Sequence, residues 1–595
     1  MLFGKNINRY YIKYSFFLLL GIASLIVVDW LQLRIPALYG MIINGINYGS
    51  VTYDGAAVPF DMDFLLDNIC LPMIYIIVAM VVCRFVWRIC FFGSGIRVET
   101  DLRSRMFDVC KDLSQEYYHH HKVGDLMALF TNDLETVQDC FGMGVLMFAD
   151  ALFLGVMAVI KMAGMSITLT LFSMVPMILL FFASMIVGRY MTKKWKRRQE
   201  AFSALSDFSQ ESFAGIAVIK AFVKESKELS AFRKLNKDNE NANVEFTRLS
   251  VALNICVTFF VESVICVILG YGGYLVWNGV FDGGQLVEFI GYFTAIVWPI
   301  MAISQLIEMR SRGKASLMRI SELLDSVPDV TDREGVADPG DLKGGISFRH
   351  LTFRYPGTER DVLKDVTFDI AAGERVGVVG RTGSGKTTLV DLILRTYNVD
   401  DGTLFVDGYD VNDITINCIR RNAAYVPQDN FLFSDTIENN IAFASDTDDI
   451  ETVMRAAKLS DVHDNISEFS EGYKTVLGER GVTVSGGQKQ RISIARAIMK
   501  DAPVLILDDS VSAVDVKTEK TILKNLNDIR AGKTTILIAH RISTIEKMDK
   551  IIYLEDGRVS AVGTHDELYA SCGEYRRMVD LQKLDDIEKS GGKGA

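Results

Sequence analysis

The first half of this 595-residue chain reads as long unbroken apolar runs, and the second half as short ones. The long runs cover roughly 16–38, 69–92, 143–162, 167–190, 251–277 and 286–307. Each is close to the length of about 20 residues that a helix needs to cross a hydrocarbon core. The pattern predicts six membrane helices in an all-α polytopic domain spanning 1–327. Lys5, Arg9 and Lys13 precede the first run, as they would in a secretory signal. Asp29-Trp30 stand where a small-residue cleavage site would be, so the run is read as an uncleaved first helix. Between the second and third runs, and again between the fourth and fifth, about 50 polar residues keep a helical period. Folded as two antiparallel arms, each segment would reach about 35 Å beyond the membrane.

The second half opens with a Pro/Gly/Asp-rich linker at 328–345. Residues 346–353 alternate apolar and polar, which predicts a half-buried strand. Residues 375–379, 504–508 and 534–539 are short and almost wholly apolar, as buried strands are, and 388–394 reads as a helix. Asp556-Gly557 marks a hairpin between 551–554 and 558–561. Strands alternating with helices predict an α/β domain over 346–584, followed by a polar, disordered tail at 585–595.

Charge adds orientation. The stretch 44–68 has no Lys or Arg but carries Asp54, Asp61, Asp63 and Asp67, and 278–284 also lacks basic residues. The stretches 97–122 and 189–248 are rich in Lys and Arg. The positive-inside rule places these stretches, both termini and the α/β domain in the cytosol of a cytoplasmic-membrane protein. The net charge of -11 argues against a nucleic-acid partner. The nine cysteines form no C-x-x-C pair and are read as reduced and structural. His119-His120-His121 would not share a helix face, so a metal site there is not expected. Asp29, Arg34, Arg84, Arg88, Asp150 and Glu262 lie within or beside apolar runs. They face either helix partners or a polar patch in a cavity.

One stretch carries chemistry on its face. Gly380, Arg381, Thr382, Gly383, Ser384, Gly385, Lys386 and Thr387 fit G-x-x-x-x-G-K-[ST], between a predicted strand and a helix that continues with Thr388. Glycines let backbone N–H groups converge on phosphate oxygens, and a helix N-terminus adds positive potential. Lys386 would reach the β/γ-phosphates, and Thr387 would offer a hydroxyl to Mg²⁺. Asp508 ends an apolar strand, where an acid can hold that ion.

Further motifs follow in order: Val426-Pro427-Gln428-Asp429, Gly478-Glu479-Arg480-Gly481, Val484-Ser485-Gly486-Gly487-Gln488, Ser512-Ala513-Val514-Asp515 and His540. With Tyr355 ahead of them, the chain resembles half-size exporters of the ATP-binding-cassette (ABC) superfamily over nearly its whole length. The segments 118–124 and 215–222 resemble the coupling-helix regions of those exporters. The resemblance implies that Tyr355 stacks on adenine, that Gln428 senses Mg²⁺ beside Thr387 and Asp508, and that His540 positions the γ-phosphate. It further implies that Ser485, Gly486, Gly487, Gln488 and Asp515 serve an ATP held by another subunit. Val484 replaces the usual Leu of the signature, a mild apolar change.

One position departs from the family pattern. The family usually has Glu after the strand-ending Asp, to orient the attacking water; this chain has Asp509. A carboxylate shorter by one methylene sits about 1–1.5 Å farther back, and misplacement of that order can cost about a hundredfold in rate. This resembles the slow-site subunit of heterodimeric exporters. The expectation is ATP-driven export of a small amphipathic or hydrophobic compound, drug or lipid-like, beside a second half-transporter that carries Glu at this position. A homodimeric peptide or lipid exporter and an ATP-gated regulator or channel are the alternatives.

Overall fold

Long apolar runs become helices longer than the runs themselves. The computed structural model describes residues 4–53, 56–445, 449–478, 481, 484–512 and 514–591. The chain divides into two units, 1–110 with 124–325 and 111–123 with 326–595.

The first unit is helical. It holds α1 (Lys5–Lys13), α2 (Ser15–Gln32), α3 (Ile35–Tyr48), α4 (Leu71–Asp112), α5 (Met143–Met165), α6 (Ile167–Ala214), α7 (Glu225–Trp277) and α8 (Gly283–Leu324), with shorter pieces between them. Among the described residues, Ser15–Tyr48, Met62–Asp112, Val123–Met165, Glu225–Trp277 and Gly283–Leu324 are long and apolar enough to cross a membrane, and the apolar stretch Ile167–Leu179 opens α6. The first run does not stop near 38 as the hydropathy predicts. It pauses at Leu33 and Arg34, restarts with Pro36 in the first turn of α3, and continues to Tyr48. Proline is tolerated there because a first-turn N–H has no helical partner to lose. A short hairpin of β1 (Ser50–Tyr53) and β2 (Ala56–Pro59) follows.

The core of this unit is Phe289, Tyr292 and Phe293 of α8 against Val264 and Ile268 of α7 and Leu154, Ala158 and Met162 of α5. The spacing of the three aromatics puts them on one helix face. α3 and α8 approach at backbone distance. A Cβ added to Gly284 would lie 2.2 Å from the Gly40 carbonyl oxygen, and the Gly284 N–H donates to Asn44 Oδ1 at 2.8 Å. Ile77, Val78, Val81, Val82 and Phe85 of α4 are exposed, as lipid-facing residues are. α6 and α7 run side by side and are joined by Lys194–Glu245 (2.6 Å) and Arg197–Asp238 (2.9 Å). The short helix Ile216–Ala221 closes their far end, with Val218 and Phe222 exposed nearby.

The second unit is α/β. Its larger sheet holds β5 (Arg375–Gly380), β8 (Ala423–Val426), β9 (Val504–Asp508), β10 (Thr534–Ile538), β11 (Lys550–Glu555) and β12 (Arg558–Gly563), in the order β12-β11-β5-β10-β9-β8. All neighbours are parallel except β11 and β12. A smaller antiparallel sheet holds β3 (Ile346–Arg354), β4 (Asp361–Ile370), β6 (Leu404–Val406) and β7 (Tyr409–Asp410). The inner strands β5, β9 and β10 bury both faces, which is why they read as continuous apolar runs, whereas the edge strand β12 alternates between exposed and half-buried positions. Ile506, Ile536 and Ile538 pack toward Phe348, Phe368 and α9 (Lys386–Ile393). Leu505, Leu507 and Leu537 pack toward α10 (Gly486–Lys500), α11 (Val516–Ile529) and α12 (Gly573–Gly591).

The tail predicted to be disordered from 585 stays helical to Gly591. Asp585, Ile587, Glu588 and Lys589 are adequate helix formers extending a turn already made, so no nucleation cost is incurred. Residues 592–595 lie outside the described residues.

Candidate nucleotide-binding site

Strand order sets the site. β5, β10 and β9 are parallel neighbours, with Leu537 beside Gly377 and Ile538 beside Asp508. Their C-terminal ends therefore bring three segments to one edge: the glycine loop after β5, His540 after β10, and Asp508-Asp509 at the end of β9. Ligands of parallel sheets bind outside such ends.

The glycines are required by geometry. Gly383 and Gly385 hold φ of 81° and 97°, where a side chain is strained. A Cβ at Gly380 would lie 2.3 Å from the Leu554 carbonyl oxygen. Lys386 is buried, and its Nζ donates to the carbonyls of Gly380 and Arg381 at 3.0 Å each. Burial holds its pKa below the ordinary lysine value. Ser384 Oγ is buried and has no hydrogen-bond partner among the described residues, at the N-terminal end of α9. Thr382 and Thr387 are exposed, and exposed Arg381 pairs with Glu574 of α12 at 3.6 Å.

Asp508 is buried, and its Oδ2 has no hydrogen-bond partner among the described residues. Burial pushes its carboxyl up, the Thr387 side chain opposes that, and Asp509 adds to it. A buried carboxylate oxygen and a buried hydroxyl, each without a partner among the described residues, are costly in a folded chain. They fit a site made for a phosphate and a divalent ion, with Asp508 and Thr387 as the protein's oxygen donors. Gln428 lies two residues past β8, next to β9. Its side chain is exposed, and no hydrogen bond joins it to Asp508 or Thr387 among the described residues.

Asp509 has φ of 45°. Its N–H donates to the Ile538 carbonyl at 3.0 Å, and its carbonyl accepts from Ser512 Oγ at 2.9 Å. Among residues other than glycine, Asp and Asn tolerate this left-handed region best. His540 is exposed, and its backbone is clamped from the last helix. Gln582 Nε2 donates to the His540 carbonyl at 2.7 Å, and Gln582 Oε1 accepts from the Ile542 N–H at 2.8 Å. Glu519, buried, pairs with Arg541 at 3.4 Å and accepts from the Thr544 hydroxyl.

Tyr355 is half-buried, and its hydroxyl lies 2.9 Å from Thr388 Oγ1. Its ring meets Phe353 and Tyr397 edge-on, at 5.2 and 5.1 Å. Tyr397 in turn lies 3.4 Å from His119 Nδ1. His119 belongs to the short helix Gln115–His120, which runs into the segment 118–124 that resembles a coupling-helix region. Ser114 beside it donates to Asp329 at 3.3 Å.

The signature residues stand apart from the loop. Ser485 caps α10 in a reciprocal box: its Oγ accepts from the Gln488 N–H at 3.3 Å, and Gln488 Oε1 accepts from the Ser485 N–H at 2.9 Å. Ser485 and Gly486 are exposed, Gly487 and Gln488 half-buried, on the first turn of a 15-residue helix, where N–H groups lack helical partners. Asp515 caps α11, accepting from the N–H groups of Lys517 and Thr518 at 3.0 Å; the Thr518 bond foremost holds its pKa down. Ala513, Glu479 and Arg480 lie outside the described residues.

Sequence reasoning missed three residues here. Gln582 and Glu519 carry no motif, since they act on His540 and its neighbours through folding alone. Asp391 left a signal, an acid between Val390 and Leu392 on a helix that buries both. Burial, with Asp508 nearby, pushes its carboxyl up to about 6.

Residues 18–300 match the family model described as "ABC transporter transmembrane region", and residues 363–512 the one described as "ABC transporter". Over its whole length the chain is 34% identical to the probable multidrug resistance ABC transporter ATP-binding/permease protein YheI of Bacillus subtilis, covering 99% of that protein. It is 34% identical to the multidrug resistance-like ATP-binding protein MdlA of Escherichia coli, over 95% of this chain and 94% of that one. It is 32% identical to an ATP-dependent lipid A-core flippase of Syntrophus aciditrophicus, over 87% and 86%. A solved bacterial Atm1-family ABC exporter with ATP bound has the same fold, with a TM-score of 0.73 at 24% identity over 97% of this chain and 98% of that one.

Proposed function

We propose, from the fact that the chain belongs to the ABC transporter family and joins both halves of an ATP-hydrolysing transporter, that it is one subunit of a heterodimeric exporter. Its cargo is a small amphipathic or hydrophobic compound, drug-like or lipid-like, carried out across the cytoplasmic membrane with both termini in the cytosol. The names of the relatives, two multidrug proteins and a lipid A-core flippase, support that class. The residue that carries the asymmetric reading is Asp509, a shortened base beside an otherwise complete set of binding groups.

In this reading Tyr355 stacks on adenine, and the backbone from Gly380 to Thr388 cradles the phosphates. Lys386 gives up its two carbonyl partners to bind the β/γ-phosphates. Thr387, Gln428 and Asp508 hold Mg²⁺, which when bound neutralises phosphate charge. His540, held by Gln582, positions the γ-phosphate. Ser485, Gly486, Gly487, Gln488 and Asp515 face outward to complete the partner's site. Asp509 orients water poorly, so this chain holds ATP as a clamp while the partner's site turns over.

The test is steady-state ATPase of the purified pair. Asp509→Asn is expected to leave total activity within about twofold, because that carboxylate is already about 1 Å out of place. Ser485→Ala is expected to lower it about tenfold or more, through the partner's site. Near-total loss in Asp509→Asn would make Asp509 a working base and end the asymmetric reading.

A further inference from the structure

One helix touches two of the loops gathered at the nucleotide-binding edge. At the start of α12, Glu574 pairs with Arg381 of the glycine loop at 3.6 Å. About two turns later, Gln582 holds the main chain at His540. The first contact joins two largely exposed side chains and contributes little. The second is of another kind. β10 ends at Ile538, and the Ala539 N–H still donates to the Val378 carbonyl at 3.3 Å. From His540 to Ile542 the Gln582 side chain stands in for a strand. Its Nε2–H donates to the His540 carbonyl at 2.7 Å, and its Oε1 accepts from the Ile542 N–H at 2.8 Å. A residue of a parallel neighbour would make the same two bonds around Arg541. Arg541 itself is extended, with φ of -99° and ψ of 127°.

Packing alone does not call for an amide here. Tyr575, Val579 and Gln582 are spaced by four and three residues, so they share one face of α12. Tyr575 and Val579 are buried in the core against the large sheet, and a third apolar residue would continue their stripe. Nor is Gln582 needed to fold the later part of the loop. Glu519 of α11 already pairs with Arg541 at 3.4 Å and accepts from the Thr544 hydroxyl. What Gln582 adds is a fixed carbonyl at His540. The His540 side chain is exposed and leaves from the main-chain atom next to that carbonyl, so the aim of the imidazole follows it.

We infer that Gln582 is a positioning residue for the γ-phosphate: by fixing the His540 main chain it lets this site distinguish ATP from ADP. This rests on the ATP-site reading above and is independent of whether the two subunits differ. ADP lacks the group that His540 meets. A residue that acts only through the γ-phosphate changes the affinity only of the ligand that has one.

The test reads binding rather than turnover. This subunit, in the purified pair, is photolabelled on ice with azido-ATP and Mg²⁺. Displacement by the non-hydrolysable analogue adenylyl imidodiphosphate or by ADP gives an affinity for each. Gln582→Leu fits the apolar stripe but can make neither bond. It is expected to weaken the triphosphate analogue about fivefold or more and ADP by less than about twofold. Gln582→Glu keeps the acceptor and loses the donor. It is expected to show the same split, and it decides the matter should the leucine variant fail to assemble. A general loosening of the domain would weaken both nucleotides alike. His540→Ala should give the split too, and adding Gln582→Leu to it should change neither affinity further. The inference is overturned if the Gln582 variants weaken both nucleotides equally, if they weaken neither, or if their effect adds in full to that of His540→Ala. Lys386→Ala separates the two readings. Labelling that survives it removes the ATP site itself, and the role of Gln582 with it. Labelling lost there, with no split at Gln582, removes only the role of Gln582.

Discussion

Lys386 has two carbonyl partners in its own loop and a pKa lowered by burial, so it is held ready rather than solvated. Lys386→Ala removes the positive charge from the phosphate position and should weaken ATP binding at this chain about tenfold or more. Photolabelling of this subunit with an azido-ATP analogue checks it, and undiminished labelling would remove Lys386 from the site. Asp391 makes the opposite kind of prediction, one about stability. Its folded carboxyl lies at about 6, above the ordinary 3.8, so the fold prefers the protonated form. That preference is fully met below about pH 4 and is lost as pH rises through about 6. At pH 7.5 the ionised group then costs at most about 3 kcal/mol. Nucleotide-free Asp391→Asn should therefore melt higher than wild type, with a gain at pH 7.5 about twice that at pH 5. A gain independent of pH would mean that ionisation is not the cause. Both residues sit in one eight-residue helix, yet only Lys386 was legible beforehand. A motif residue announces its chemistry by spacing. A buried acid does so only once its neighbours are known, because burial is a property of the fold.

Elements were read best where the period was long and unbroken. The apolar runs gave the cores of α4, α5, α7 and α8, but not the pause at Leu33 and Arg34 or the extension of α3 through Asn44 and Asn47. Hydropathy sees Asn44 as an interruption, whereas the fold uses it to accept the N–H of Gly284. The same pair of helices offers a test of backbone packing. Gly284→Ala would set a methyl group 2.2 Å from the Gly40 carbonyl oxygen and 2.6 Å from Asn44 Nδ2. α3 and α8 must separate, at a cost of about 1–3 kcal/mol. A matching fall in the thermal midpoint of the detergent-solubilised protein is expected, and an unchanged midpoint would show that the contact yields easily. In the α/β unit β5, β9 and β10 were legible because burial of both faces leaves no alternation to confuse with a helix, whereas the four-residue β8 was not read as a strand. The order in which they pair, which brings His540 and Asp508 beside the glycine loop, is a tertiary fact that no window of sequence contains.

For the molecule as a whole, the charge asymmetry of its loops predicts sidedness. A single Cys at Tyr53, which is 38% exposed on the β1–β2 hairpin, should react with an impermeant maleimide added to intact cells whose other accessible cysteines have been removed. Reaction only after permeabilisation would reverse the orientation. The division into a helical half and an α/β half was visible in the change from long to short apolar runs. The grouping of 111–123 with the second half was visible only in the resemblance of 118–124 to a coupling-helix region. The paired helices α6 and α7 have a mechanical consequence. At 48 and 53 residues they are rods of about 72 and 80 Å. The ion pairs at Lys194–Glu245 and Arg197–Asp238 brace them at two heights, so that they tilt as one beam. About a pivot in the apolar part, a tip about 35 Å away sweeps about 6 Å for a tilt of about 10°. The pair therefore works as a lever whose leverage is written in chain length: each helical turn added to the arm increases the travel at its tip by about 1 Å for the same tilt.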